Sequence, residues 1–334
     1  MFKVNLRSCE ELRLDPNPEF LKELQRMREL ATLDRSGRYE LIDDPSAADL
    51  ILFMECSGYE ANCGPYLEGV RRDPVYRRYR SKSLVYSAFD FPIPFVPGIY
   101  PSIDRRWYWR SLARPGCYLV GSNVFIGAYA VQPPVEPRVL ASFVGCISNQ
   151  PVRRRLSEIR SDSILIVDNT DAFLAACRAG RQDELDRLKK GFVETVSRSK
   201  FVLCPRGYGA SSIRLFEAME MGRAPVILSD EWVPPEGPDW DAFSIRVAER
   251  DVLRVPEILR GSEAASEDLG KAARLAWEEW FSPDQLFRRM CETCEEMLTS
   301  RRPFALSARW LCYLHFARPL HARKLLSRIK NGRG

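Results

Sequence analysis

A chain of 334 residues with 45% hydrophobic and 11% aromatic content has apolar material for two ordinary domains, which excludes a disordered protein. Its charge of +5 is uneven: residues 301–334 hold nine Lys or Arg and no acid, leaving 41 basic against 45 acidic groups in the first 300, a balance of −4. Ten cysteines are too sparse for a disulfide scaffold, charges interrupt every apolar run long enough to approach a membrane span, and no nucleic-acid-binding motif accompanies the basic end.

The first half reads as alternating strands and helices. A strand is expected at 2–6, a helix at 19–31, a short strand at 39–42 and a strong one at 50–54. A basic helix at 74–80 precedes a strand at 84–88, and the alternation points to a parallel α/β layer. The proline-rich stretch 92–101 follows, either a binding loop at the open end of the sheet or a stiff cover over the domain. Because the start reads as a first strand and lacks the apolar core of a signal peptide, a cytoplasmic enzyme is expected.

Residues 132–137 form the best linker, which sets domains at 1–134 and 135–300 with a basic tail at 301–334. The second domain should open with a strand at 139–145 closed by Gly145, a helix begun by the arginine run 153–155, a strand at 164–167 and a helix at 184–197. Cys291 and Cys294 form a CxxC inside a helical pattern, with no second pair and no nearby His, which favours packing over metal binding.

The segment 199–230 carries the chemistry. Phe201 to Leu203 and Val226 to Leu228 are short apolar runs of doubly buried strands. Between them Pro205, Gly207 and Gly209 forbid regular structure, and Ser211 or Ser212 should cap a helix that ends at Gly222. Leu215, Phe216, Ala218, Met219 and Met221 make that helix largely buried, with Arg214 and Glu217 as the exceptions. An Arg and a Glu three residues apart are ordinarily an ion pair. Here they follow a glycine loop at a helix N-terminus, where free amides and the helix dipole favour an anion.

In the order Cys-Pro-x-Gly, Ser-x-x-Arg-x-x-Glu-Ala, Pro-Val-Ile-x-Ser-Asp, then Trp240-Asp241-x-Phe243-Ser244-Ile245 with Glu249 and Asp251, the chain resembles the exostosin family of glycosyltransferases, GT47-type. The likeness is dense over 199–251 and thin elsewhere. It implies a GT-B fold of two Rossmann-like domains facing across a cleft, and inverting transfer from a nucleotide sugar, usually a UDP-sugar, to a saccharide hydroxyl. Polysaccharide, capsule or lipopolysaccharide-type synthesis would be the setting. Members of the family from eukaryotes usually carry an N-terminal membrane helix, and this chain departs from them there.

Within that reading Arg214, Ser211 and Ser212 would neutralise the diphosphate without a metal or other cofactor, and Glu217 would accept the ribose hydroxyls. Gly145, Gly207 and Tyr208 would line the site, Asp230 would hold a sugar hydroxyl, and Arg153 or Arg154 would add charge from the facing side of the cleft. Both histidines, His315 and His321, lie in the tail, so the base is expected to be Asp90 or, second, Glu55, each at the end of a strand. The tail mixes Arg and Lys with Trp310, Leu311, Tyr313 and Phe316. It is either an interfacial segment on the inner, anionic face of a membrane, with a lipid-linked acceptor, or a helix packing back on the first domain. A fucosyltransferase-like enzyme using a GDP-sugar and a non-catalytic glycan-binding scaffold are the alternatives.

Overall fold

The computed structural model describes residues 1–14, 21–55, 67–129, 135–148, 150–300 and 312–314. The chain divides into two compact units, one of Met1–Gly116 with Phe287–Gly334 and one of Cys117–Leu286. Both are parallel α/β units.

In the first unit β1 (Phe2–Arg7), α1 (Glu10–Leu14), α2 (Lys22–Leu33), β2 (Tyr39–Leu41), β3 (Leu50–Glu55), α3 (Glu68–Arg72), α4 (Pro74–Arg78), β4 (Ser83–Ser87), β5 (Gly98–Ile99) and β6 (Ala113–Arg114) follow one another. The strands are parallel, in the order β2-β1-β3-β4-β5-β6. Every residue of β3 and β4 is buried, as expected of strands covered on both faces. Asp73 caps α4 by accepting from the amides of Val75 and Tyr76, and Pro74 supplies the first helical residue.

The proline-rich stretch is a cover. Ile93, Phe95 and Val96 are buried, and Pro97 O accepts from Val85 N as the chain enters β5. Of the tail, 312–314 are described: Cys312 is buried against Ile93, Phe95 and Leu112, and the Tyr313 ring meets Phe95 at 5.4 Å. At these residues the tail packs on the first unit; the remainder of 301–334, on which the lipid alternative rests, lies outside the described residues.

In the second unit come α5 (Ile126–Tyr129), β7 (Val139–Gly145), α6 (Pro151–Leu156), β8 (Ile164–Asp168), α7 (Thr170–Ala179), α8 (Gln182–Ser197), β9 (Ser199–Pro205), α9 (Ile213–Glu220), β10 (Ala224–Leu228), β11 (Ile245–Arg246), α10 (Val255–Gly261) and α11 (Ser266–Trp280). The strands run parallel in the order β11-β10-β9-β7-β8. Phe143, Phe201, Leu203, Val226 and Leu228 pack on Val152, Leu156, Val255 and Leu259 to form one core layer.

The division at Gly116 differs from the boundary expected near Val135. The reason is that the segment after Cys117 is anchored to the second unit: Asn123 Nδ2 donates to Lys189 O at 2.7 Å, and Arg223 Nη2 donates to Tyr129 Oη at 3.3 Å. The last described helix, α12 (Pro283–Thr299), starts at the end of the second unit but belongs to the first from Phe287 on. Its Phe287 meets Tyr39 edge-on, and Arg38 pairs with Glu295 at 2.8 Å. Cys291 and Cys294 are buried on this helix. Among the described residues, no helix is long and apolar enough to cross a membrane.

Helix α9 is held at its far end by a close approach of two glycines. Gly222, just past the helix, sits at φ +64°, and a Cβ on Gly270 of α11 would fall 2.5 Å from Gly222 O. Gly270→Ala must therefore push α11 off α9, an overpacking of about 1–3 kcal/mol. We expect a melting temperature lower by several degrees in calorimetry.

Candidate functional site

In both sheets the first strand lies between the second and the third, so the chain leaves it to one side and returns on the other. The C-terminal ends of parallel strands open a crevice at such a switch point, and ligands bind there. In the second unit the point falls between β7 and β9, and the loop from Arg206 to Ser212 and the start of α9 lie on it.

The loop is strung from protein donors. Pro205 O accepts from Arg153 Nη2 at 3.2 Å, Arg206 O from Arg153 Nε at 2.8 Å, and Tyr208 O from Gln150 Nε2 at 3.1 Å. Gly209 O accepts from Arg206 Nε at 3.2 Å, Ala210 O from Ser229 Oγ at 2.7 Å, and Ser211 O from Gly207 N at 2.9 Å. With the carbonyls engaged, the amides of Tyr208, Gly209, Ala210, Ser212, Ile213 and Arg214 donate to no acceptor among the described residues. A run of unpaired amides entering a helix is an anion cradle.

Ser212 is the N-cap of α9, as expected, yet its side chain makes no capping bond. The residue is 7% exposed, and its hydroxyl is buried without a partner. Such a group costs about 1–3 kcal/mol when left unpaired. Ser211 is buried beside it.

Arg214 lies across the ends of the strands. Its Nε donates to Val144 O, next to the closing residue of β7, at 3.2 Å, its guanidinium stacks 4.3 Å from the Phe192 ring centroid, and Nη1 pairs with Glu217 Oε2. Nη2 has no partner among the described residues, and a quarter of the side chain is exposed.

Glu217, expected to face ribose hydroxyls, is 1% exposed. Oε1 accepts from Asn123 N at 2.9 Å while Oε2 holds Arg214. Burial pushes this carboxyl above its ordinary range, opposed chiefly by the Arg214 charge. The carboxylate thus ties Arg214 to the segment before α5 and is sealed from solvent in this structure.

The other expected residues divide. Arg153 lies in the same unit as Arg214, not on a facing side: its three nitrogens hold Arg206 O, Cys146 O and Pro205 O, so it fastens the ends of β7 and β9. Arg154 is exposed and bonds Ser148 O of its own loop. Gly207 sits close enough to the loop that a Cβ would lie 3.4 Å from Ser211 O, and Tyr208 is exposed. Gly145 ends β7 within the same crevice. Asp230, just after β10, exchanges hydrogen bonds with Glu249: its Oδ1 accepts from Glu249 N at 3.1 Å and its amide donates to Glu249 Oε1 at 3.2 Å. Glu249 also stands 3.8 Å from Arg206 Nη1.

Glu55 and Asp90 belong to the first unit. Glu55 ends β3 in register with Ser87, the last residue of β4, and Asp90 follows three residues later, so both lie toward one edge of the sheet. Glu55 is 1% exposed and accepts from Cys9 N at 3.3 Å, whereas Asp90 is partly exposed. Among the described residues no three His, Cys, Asp or Glu cluster as metal ligands would.

The amide cradle, the arginine and the aligned carboxylate occupy the part of the chain that matches a known domain. Residues 129–261 match the exostosin GT47 domain. The domain lies wholly within the second unit. An exostosin-1 homologue of Caenorhabditis elegans is 36% identical over 107 residues, 31% of this chain and 28% of that protein. Exostosin-1 of Drosophila melanogaster is 28% identical over 185 residues, 51% of this chain and 24% of that protein. The chain thus spans about a quarter of the length of these exostosin relatives. Among solved structures, sucrose-phosphate synthase of Thermosynechococcus elongatus superposes with a TM-score of 0.45 at 12% identity, over 90% of this chain and 100% of that one.

Sequence reasoning passed over Glu220, which is partly buried at the last turn of α9. Burial pushes its carboxyl up to about 7, with Arg274 opposing and Glu217 reinforcing the shift. The unfolded carboxyl ionises near 4.5, so between that pH and about 7 the unfolded chain has lost a proton that the folded chain keeps. Stability attributable to this residue therefore falls as pH rises through that window. In urea titrations at pH 5 and pH 8, Glu220→Gln should show a smaller loss than the wild-type protein.

Proposed function

We propose that this protein is an exostosin-like glycosyltransferase whose second unit binds the diphosphate of a nucleotide sugar and transfers the sugar, with inversion, to a saccharide hydroxyl. The observation that carries the proposal is the convergence at the start of α9 of unpaired amides, the partnerless Ser212 hydroxyl and the open Nη2 of Arg214. These are donors without acceptors, arranged where a leaving diphosphate would gather negative charge. Together they would neutralise it with no metal. In this reading Glu217 keeps Arg214 aimed, and Asp230, exposed at the end of β10, is placed for a hydroxyl of the sugar.

An acceptor hydroxyl needs a base. Asp90 is our choice, because it is more exposed than the Cys9-bonded Glu55. A UDP-sugar is the proposed donor and a GDP-sugar the rival. Thermal stabilisation by UDP, GDP and CMP compared side by side separates them, since a ligand of the native state raises its melting temperature.

Ser212→Ala tests the cradle without disturbing an internal bond. Because the hydroxyl has no partner among the described residues, the variant should melt at or slightly above the wild-type temperature. Calorimetry in EDTA should show UDP bound about 3- to 10-fold more weakly, the worth of one hydrogen bond. Unchanged affinity would overturn the diphosphate assignment. Asp90→Asn should lower kcat by about 100-fold or more with UDP affinity intact. Full turnover in that variant would remove Asp90 as the base.

A further inference from the structure

The first unit has its own switch point, between β1 and β3, and a charged side chain stands there. Arg7 is the last residue of β1, paired in register with Phe53 of β3, and its guanidinium lies 5.6 Å from the Phe53 ring centroid. Among the described residues it makes no hydrogen bond and no salt bridge, and its Nε is buried without a partner there. The neighbouring carboxylates attract it from a distance but, among the described residues, form no hydrogen bond with it. Asp73 is 3% exposed and spends Oδ1 on the amides of Val75 and Tyr76 and Oδ2 on the amide of Glu10. Glu10 is exposed, Glu55 is occupied by Cys9, and Arg13 adds a second positive charge nearby.

A guanidinium has five donors in a rigid fork suited to carboxylate and phosphate oxygens. Partial burial without such a partner is unfavourable for a cation. Desolvation, against the attraction of Asp73, holds Arg7 below its ordinary pKa. A purely structural arginine would be expected to resemble Arg153, whose three nitrogens are all bonded. Arg7 instead stacks on an aromatic ring at the position where parallel sheets receive ligands.

We propose that Arg7 is the recognition cation of an oxyanion subsite at the open end of the first sheet, taking the carboxylate or phosphate of an acidic saccharide. That the saccharide is the acceptor rests on the glycosyltransferase reading above; the oxyanion site itself does not. The class of acceptor is accordingly an acidic sugar rather than a neutral one.

The test uses the full chain with UDP saturating, Arg7→Met and Arg7→Lys beside wild type, and three probes: glucuronate, glucose 1-phosphate and the neutral methyl glucoside. Without ligand, Arg7→Met should melt at or above the wild-type temperature, because Met packs on Phe53 and no bond is lost; a lower melting temperature would make Arg7 structural and overturn the proposal. Glucuronate or glucose 1-phosphate should stabilise the wild type and the glucoside should not. Arg7→Met should weaken the charged ligand at least five-fold, with Arg7→Lys keeping part of it. A response to glucuronate alone assigns the carboxylate, to the phosphate alone the phosphate, and to both the shared charge. No response in wild type, or an equal one in Arg7→Met, sinks the subsite. UDP binding is read separately through Ser212→Ala. A chain that binds charged sugars through Arg7 but ignores UDP would retain the subsite and lose the donor assignment.

Discussion

A carboxylate taken out of water must be compensated, and Glu217 is the one on which the arrangement of the second unit turns. At 1% exposure it requires a cation and a donor, which Arg214 and the Asn123 amide supply. Meeting that demand fixes Arg214 in a single pose, with Nε on Val144 O and the guanidinium stacked on Phe192. The same demand pulls the segment around Asn123 onto the second unit, which is why the units divide before residue 117. Losing Glu217 would therefore disturb the arginine, the crevice and the unit boundary together.

Arg153 does a parallel task with backbone. By collecting the carbonyls of Cys146, Pro205 and Arg206, it binds the ends of two neighbouring strands and turns the following peptides over. The proposed anion cradle is thus shaped by what holds the loop's oxygens. Preorganisation of this kind means that little of the binding free energy is spent on ordering the loop.

Much of this was legible in the sequence, and the exceptions have physical causes. The strand Val139–Gly145 and the strand, loop and helix unit of β9 and α9 stand out because apolar runs are bounded there by glycine, proline and serine. β5 and β6 have two residues each, too few for an alternation, and β5 sits inside the proline-rich stretch whose apolar residues are buried. Arg214 and Glu217 read as ligand-facing exceptions on a largely buried helix, and not as a pair locked in place, because helical spacing says nothing of Phe192 and Asn123 arriving from elsewhere in the chain. Arg153 was legible as a charge but not as a fastener, since its partners lie as far as 53 residues away. Arg7 carries no local signal: only the register of β1 on β3 reveals a cation whose Nε has no hydrogen-bond partner among the described residues.

The first unit is interrupted in sequence, with residues 117–286 of the second lying between its two parts, and this has a consequence for synthesis. The second unit is continuous and can complete its core while the chain is still emerging, whereas Tyr39 waits for Phe287 and Arg38 for Glu295. Contacts so distant in sequence form slowly, and domains fold as units in order of emergence. The continuous second unit is therefore expected to be native before the first, so Arg38 and Tyr39, though made before it, are locked in place after it.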